Sequence, residues 1–488
     1  MKKLLITYAW STGDIGGVGI TPGLLKLVRE TAPNLDVSII TIQGQVPSEL
    51  DLLTPPPETT IHGKNIRPYD FLRGYLPKFY PQARVLPNPL GGCFGSSANS
   101  GQSGAAWHKF CRRWGSTKLR DFENGTVFAH VASEMARDVL DTFARELFAQ
   151  LKKEKPLIAR SFEDADFILY NSGTVFNFGR MGKRYLWGES AVPGGSTGLI
   201  WAMPLLFARI LGVPYGVNAE SFDAVDWPVD LIYRPLFKDA RFLYLRDGDS
   251  LEYLKQRDML NANSGYRPDS TFFFRTYDDT WADAFMRKHA LEKKSFVCFI
   301  PRLADTIGVI SGVMSADREK SHLEKIRFFI ENWLKETGMP VVLCPEAGYE
   351  LPKLKKIHQG LSPEARKRVV CMNSFWTPEQ ACSLYKRSRF IAGHMHSIIF
   401  ALSVGTPALH IPFSEAGRKA WMMRDLGLDD WLLNIDEASG ETLVAAALKI
   451  HNHYDTSCAR VRRAMENVER LGRQVIGDML LKGKRTEL

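Results

Sequence analysis

The 488-residue chain has no apolar run long enough to cross a bilayer. Its longest, Leu199 to Ala208, contains Pro204 and stops at Arg209, well short of the roughly 20 residues that a spanning helix needs. At the N-terminus, Lys2 and Lys3 precede only the short stretch Leu4 to Trp10, and no small-x-small cleavage pattern follows. That segment reads as a strand, not a signal peptide. The expected location is the cytoplasm, with any membrane contact peripheral and from the inner face. Cysteine is sparse as well: seven residues, an odd number with no C-x-x-C pair, which argues against a zinc ribbon or a disulfide framework. Charge of one sign is not in large excess either. The balance of 63 basic against 54 acidic side chains gives +9, compatible with anionic small molecules, acidic glycans or a membrane surface, and it does not call for nucleic acid. The basic clusters at Lys109–Arg120 and Arg460–Arg463 are short and read as solvated helix faces.

What the chain does have is a core and a rhythm. With 45% apolar residues and no long low-complexity tract, it is globular and too long for one ordinary core, so two domains are expected. "KKLLITYAW" is a buried-strand run, "STGDIGGVGITPG" a glycine-rich turn, "LLKLVRETAP" a helix and "DVSIITI" a second strand, which together make a β-loop-α-β unit. From about 47 to 121 the text is irregular and reads as an insertion. A second rhythm of strands and helices fills the region up to about residue 285. A third begins at "SFVCFIPR" and runs to "PALHIPF". The expected fold class is α/β, with two doubly wound Rossmann-like domains facing a cleft: an N-terminal domain over 1–285, a C-terminal domain over 286–451, and a closing helix over 452–488.

The most informative stretch is "RFIAGHMHSIIFALSVGTPALHIPF". A strand runs out at Gly393, Ser397 is placed to cap a helix, and Gly405 with Pro407 marks its end. His394 and His396 therefore fall on a strand-to-helix loop at the carboxyl edge of a parallel sheet, where open α/β folds bind ligands. The helix amino terminus there favours an anion. H-x-H offers two metal ligands, but no H-E-x-x-H or Cys/Asp set supplies a third and fourth, so no metal is expected. Two readings stay open for the histidines: proton exchange at neutral pH, or plain hydrogen bonding to loop carbonyls.

In this layout the sequence resembles the polysaccharide pyruvyl transferases, which have a two-domain fold like that of GT-B glycosyltransferases. "HMHSIIFALSVGTPALHIPF" is similar to their R-x-H motif with its apolar helix, glycine, proline and short strand. "YLRDGDSLEYL" resembles their R-D-x-x-S-x-x-x-L and "RPDSTFFF" their P-D-x-x-F. "NSGTVFN", which contains Ser172 and Gly173, resembles their glycine-rich turn, and "STGDIG", with Asp14, their amino-terminal G-D turn. The resemblance covers mainly residues 160 to 440. It departs from the family at His394, which stands where the family has an arginine. An imidazolium binds phosphate without the bidentate fork of a guanidinium, and its charge depends on pH. Arg302, Arg418 and Lys419 are the nearby candidates to compensate, against ordinary surface exposure for the last two.

The resemblance implies phosphoenolpyruvate as donor substrate, no cofactor, and a sugar of a glycan or lipid-linked glycan as acceptor. That chemistry asks for a proton donor and for positive charge near phosphate and carboxylate. His396 fits the first role; Arg246, Arg302 and the helix terminus at Ser397 fit the second. Asp247 reads first as a helix cap, and Asp14 equally as an acceptor contact or a turn-stabilising residue. "GGVGITPG" is neither a P-loop nor a G-x-G-x-x-G. Arg180, Lys183 and Arg184, interleaved with Tyr185 and Trp187, suit a sugar and its anionic tail, or a loop that packs its aromatics inward. Two rival functions remain: a GT-B-like glycosyltransferase using a sugar nucleotide, and a non-catalytic glycan-binding relative.

Overall fold

The computed structural model describes residues 2–9, 14–41, 68–89, 133–173, 197–222, 225, 229–301, 315–414 and 416–482. Arg302 and the segment from Arg180 to Trp187 lie outside these. Among the described residues the first sheet has seven strands: β1 (Lys3–Ala9), β2 (Asp36–Thr41), β3 (Arg84–Leu86), β4 (Phe167–Tyr170), β5 (Tyr215–Glu220), β6 (Phe242–Leu245) and β7 (Ser264–Tyr266), in the order β3-β2-β1-β4-β5-β6-β7. The second has five: β8 (Val297–Ile300), β9 (Val341–Leu343), β10 (Val369–Cys371), β11 (Ile391–Gly393) and β12 (Ala408–His410), in the order β10-β9-β8-β11-β12. Every pairing in both sheets is parallel. Such strands are covered on both faces, and β4, β5, β6 and β8 are buried at every position. The expected fold class of two doubly wound α/β units therefore holds.

Each strand order reverses once, between β1 and β4 in the first sheet and between β8 and β11 in the second. Loops diverge at such a point and leave a crevice beyond the carboxyl ends. Asp14 follows β1, Ser172 and Gly173 follow β4, and His394 and His396 follow β11. The candidate residues of both halves thus sit at the two reversal points.

Three boundaries differ from the sequence reading. Part of the expected insertion is regular: helix Pro68–Tyr75 and strand β3 lie within it, and β3 extends the edge of the first sheet beside β2. Helix Asp279–Lys288 straddles the expected boundary at 285, yet it is tied to helix Pro378–Arg387 of the second unit by Arg387 to Asp279 at 2.7 Å and to Asp283 at 2.9 Å. The third difference is the glycine-rich "turn". Helix α1 (Ile15–Thr31) begins inside it and runs through Gly16, Gly17, Gly19, Pro22 and Gly23.

Intrinsic propensity disfavours glycine in a helix by about 1 kcal/mol each, so a reason is needed. Gly16, Gly19 and Gly23 recur at helical spacing on one face, and that face lies against other backbone and rings. A methyl on Gly16 would overlap the His396 ring, on Gly19 it would lie 2.7 Å from Phe400, and on Gly23 it would strike the Ser270 carbonyl oxygen. The glycines let α1 of the first unit press onto helix α3 (Met395–Ser403) and the short turn Ser270–Phe273; helix α2 (Gly248–Gln256) lies between these in sequence. Gly23→Ala is expected to cost about 1–3 kcal/mol, because the obstructing atom is backbone and cannot rotate away. Urea unfolding checks this, and a loss under about 0.5 kcal/mol would mean that the contact gives freely.

The chain closes with helix α4 (Tyr454–Lys482), which returns to the first unit. Asp478 accepts from the Tyr244 hydroxyl and lies 3.6 Å from Arg267. Glu469 pairs with Arg275, and Arg473 lies 3.6 Å from Glu30 on α1. Among the described residues no helix is long and apolar enough to cross a membrane.

Candidate active site

The H-x-H stretch is organised by a carboxylate that follows a different strand. Glu346, three residues beyond β9, is buried to 1% exposure. One of its oxygens pairs with His394 Nδ1 and lies 3.6 Å from His396 Nδ1; the other accepts the Ser397 backbone N–H at 2.8 Å. Sequence reading expects Ser397 to cap α3 and the helix terminus to hold an external anion. The structure corrects both. His394 is the N-cap residue by backbone geometry and makes no side-chain cap bond, while the anion at the helix terminus is the protein's own Glu346. A carboxylate there satisfies a free N–H and the positive end of the helix dipole at once.

Glu346 is itself held in place. Its N–H and that of Ala347 both donate to Glu350, at 2.7 and 3.0 Å. Its carbonyl accepts the N–H of Ile15, the first residue of α1, at 3.0 Å. Burial pushes the Glu346 carboxyl up, but His394 and then His396, through charge and hydrogen bonds, overcome this and hold it well below the usual carboxylate range. His410, on β12, faces His394 edge-on with ring centroids 6.4 Å apart. Burial first, and then the charge of His394, lowers its pKa to about 3, so it stays neutral.

His396 stands between the two units. Its Nδ1 lies 3.8 Å from Asp14 Oδ1 as well as 3.6 Å from Glu346. Its Nε2 is buried and has no hydrogen-bond partner among the described residues. One edge of the ring is thus turned to carboxylates, and the other meets no polar partner among the described residues. Asp14 caps α1 by accepting the Gly17 N–H at 2.6 Å, so the turn-stabilising reading is met while the side chain also faces the histidine.

Arg246 is not a cation exposed to substrate. Its side chain is 2% exposed; Nε donates to Ser221 Oγ at 2.8 Å and Nη1 pairs with Asp269. The two family-like stretches "YLRDGDSLEYL" and "RPDSTFFF" therefore meet as one buried ion pair. β6 and β7 end in register, Leu245 beside Tyr266, so Arg246 and the turn leading to Asp269 leave the sheet side by side. Asp269 is pushed up by burial, but Arg246 and then His396 bring it below its ordinary value, which places this pair within electrostatic reach of the histidine. Asp269 also accepts the Thr271 N–H at 2.8 Å, fixing the turn on which α1 rests. Asp247 is a cap, accepting the Ser250 N–H at 2.6 Å and the Ser221 hydroxyl.

The other expected contacts divide. Ser172 is fully buried and donates to the Ala219 carbonyl at 2.8 Å, and the Gly173 carbonyl accepts from Ser221, so both serve the first sheet's own edge. Arg418 spans the units: it donates to the Phe222 carbonyl at 2.7 Å and lies 3.8 Å over the Tyr253 ring of α2. Lys419 is half-buried in the same turn, Arg418–Trp421. That turn is docked further by Asp425, which accepts the Gly248 N–H at 3.0 Å. Glu346 was missed by sequence reasoning. Its one signal was its position just past a strand of the second sheet.

Residues 144–415, more than half of the chain, match the family model for polysaccharide pyruvyl transferase. The chain belongs to that family. The match takes in both sheets from β4 to β12, the Arg246–Asp269 pair, Glu346 and both histidines. No curated protein sequence matches the chain. Solved structures similar to this pyruvyl transferase family member extend over its whole length. The S. aureus MnaA–UDP co-structure is 12% identical, covering 98% of this chain and 96% of that one with a TM-score of 0.50. A UGT transferase from Siraitia grosvenorii in complex with UDP is 10% identical over 99% of this chain and 100% of that one, TM-score 0.50. Anabaena Alr3699/HepE in complex with UDP-glucose is 10% identical over 99% of each chain, also with a TM-score of 0.50. At such identities the likeness is one of fold, the two-domain GT-B arrangement, and the family makes the protein a transferase.

Proposed function

We propose that the protein transfers pyruvate from phosphoenolpyruvate to a sugar of a glycan or lipid-linked glycan as a ketal. In the reaction the methylene carbon of phosphoenolpyruvate gains a proton, and a sugar hydroxyl oxygen bonds to the neighbouring carbon. A second hydroxyl then bonds to the same carbon as the bond to the phosphate oxygen breaks. One hydroxyl proton replaces the one given to the methylene, the other leaves with inorganic phosphate, and the balance closes without a redox partner or cofactor.

The observation that carries this reading is the placement of His396. It sits at the reversal point of the second sheet, with Nδ1 toward Glu346 and Asp14 and Nε2 unpartnered among the described residues. A ring anchored on one nitrogen by carboxylates presents the other for proton transfer, a contribution of about 10²- to 10⁴-fold. The reading places the protein in the cytoplasm, meeting a lipid-linked acceptor at the inner face of the membrane. The test offers isotope-labelled phosphoenolpyruvate and nucleotide sugars in parallel with candidate glycan acceptors. Label in the glycan with release of inorganic phosphate is the expected result. Glycosyl transfer from a nucleotide sugar, with no incorporation of pyruvate, would overturn it in favour of the glycosyltransferase alternative.

A further inference from the structure

We infer that Glu346 is the positioning residue of this site: it orients the imidazole of His396 and keeps a proton on the Nδ1 edge, so that Nε2 is the atom that exchanges protons with substrate. This rests on the reading of His396 as the acid of pyruvyl transfer. Three observations carry it. Among the described residues Glu346 is the one side chain that touches the first turn of α3 at two points, His394 Nδ1 and the Ser397 N–H, with His396 Nδ1 3.6 Å away. It is buried, so its charge acts through little screening water. It is also pre-set: Glu350 fixes its backbone, and the Ile15 N–H of α1 anchors its carbonyl from the opposite unit.

His394 acquires a role from the same geometry. It stands where the family carries an arginine, yet its ring is turned inward to Glu346 and is 6% exposed. It holds the carboxylate; it does not reach outward for a phosphate. Among the described residues the remaining charged and titratable groups near His396 are Asp14 at the N-cap of α1, the Asp269–Arg246 pair from the first sheet's edge, and His410 beyond His394. Of the carboxylates, Asp14 lies at 3.8 Å with a side chain 32% exposed, and Asp269 is already neutralised by its guanidinium. Among the described carboxylates Glu346 is accordingly the dominant negative charge on the imidazole, by proximity and by burial.

The test is Glu346→Gln in the full chain, which keeps shape and a hydrogen-bonding oxygen and removes the charge. Histidine titrations followed by nitrogen-15 NMR without substrate are expected to show the His396 imidazole losing its proton about tenfold more readily than in wild type. In turnover, kcat is expected to fall about tenfold or more and its pH profile to move in the same direction, with KM for phosphoenolpyruvate changing less. Glu346→Asp should restore part of both. Coincident His396 titrations in wild type and Glu346→Gln would overturn the inference, as would a fall in kcat without any movement of the pH profile. If Glu346→Gln does not fold, the same titration of Glu346→Ala, which also removes the charge, decides, an unmoved His396 again being the refuting result. A shifted titration in a protein that never forms the ketal would leave Glu346 in place and remove the pyruvyl transfer reading instead.

Discussion

His396→Ala is expected to lower pyruvyl transfer by about 10²- to 10⁴-fold, the range for loss of a positioned proton donor, while the protein unfolds at nearly the same denaturant concentration. Activity falls because no other described group combines contact with Glu346 and Asp14 with an unpartnered nitrogen. Stability is largely kept because Glu346 retains His394 and the Ser397 N–H after the ring is gone, so no buried charge is orphaned. Steady-state turnover of labelled phosphoenolpyruvate and a urea melt on the same sample check the two halves. Unchanged turnover would remove His396 from the chemistry.

Asp269→Ala is expected to do the reverse, destabilising the fold by about 3–5 kcal/mol. The guanidinium of Arg246 would lose its paired carboxylate while staying buried, and breaking a buried pair by removing one partner is far more costly than having no pair at all. The turn Ser270–Phe273 would lose its Asp269 cap, and that turn is the surface on which Gly23 of α1 rests. Replacing both partners together, Arg246→Met with Asp269→Leu, should cost much less than Asp269→Ala alone, since matched apolar groups of similar volume are tolerated where a lone charge is not. Denaturant unfolding of the single and double variants measures this. A single-variant loss below about 1 kcal/mol would show that Arg246 finds water or another acceptor.

The architecture was legible because its signals are local. Runs such as "ADFILYNSG" and "SFVCFIPR", alternating with helical spacing, announce parallel strands with crossovers, and the sheets follow. The place of the histidines just past a strand end was legible for the same reason, but His396 lies in the first turn of α3 and not in the expected loop. What sequence could not supply was pairing across distance. Glu346 lies 48 residues before His394 and reaches it across β8, so as one glutamate after "PVVLC" it carried no spacing signal. Arg246 and Asp269 were each visible in a motif, but that they neutralise one another depends on β6 and β7 ending in register. The glycines of "GGVGITPG" failed by local rule. Read by propensity they make a turn; in the fold they make the thin face of a helix, because the neighbours they must admit are the His396 ring, Phe400 and the Ser270 carbonyl.

The return of α4 to the first unit has a consequence for the order of events during synthesis. Domains emerge and fold from the N-terminus onward, yet Tyr244, Arg267 and Arg275 of the first unit find carboxylate partners at Glu469 and Asp478 on α4, about two hundred residues further along the chain. The nascent first domain therefore waits for these carboxylates until α4 has been made. A ribosome that stalls before residue 469 releases a chain whose leading half cannot complete its own surface.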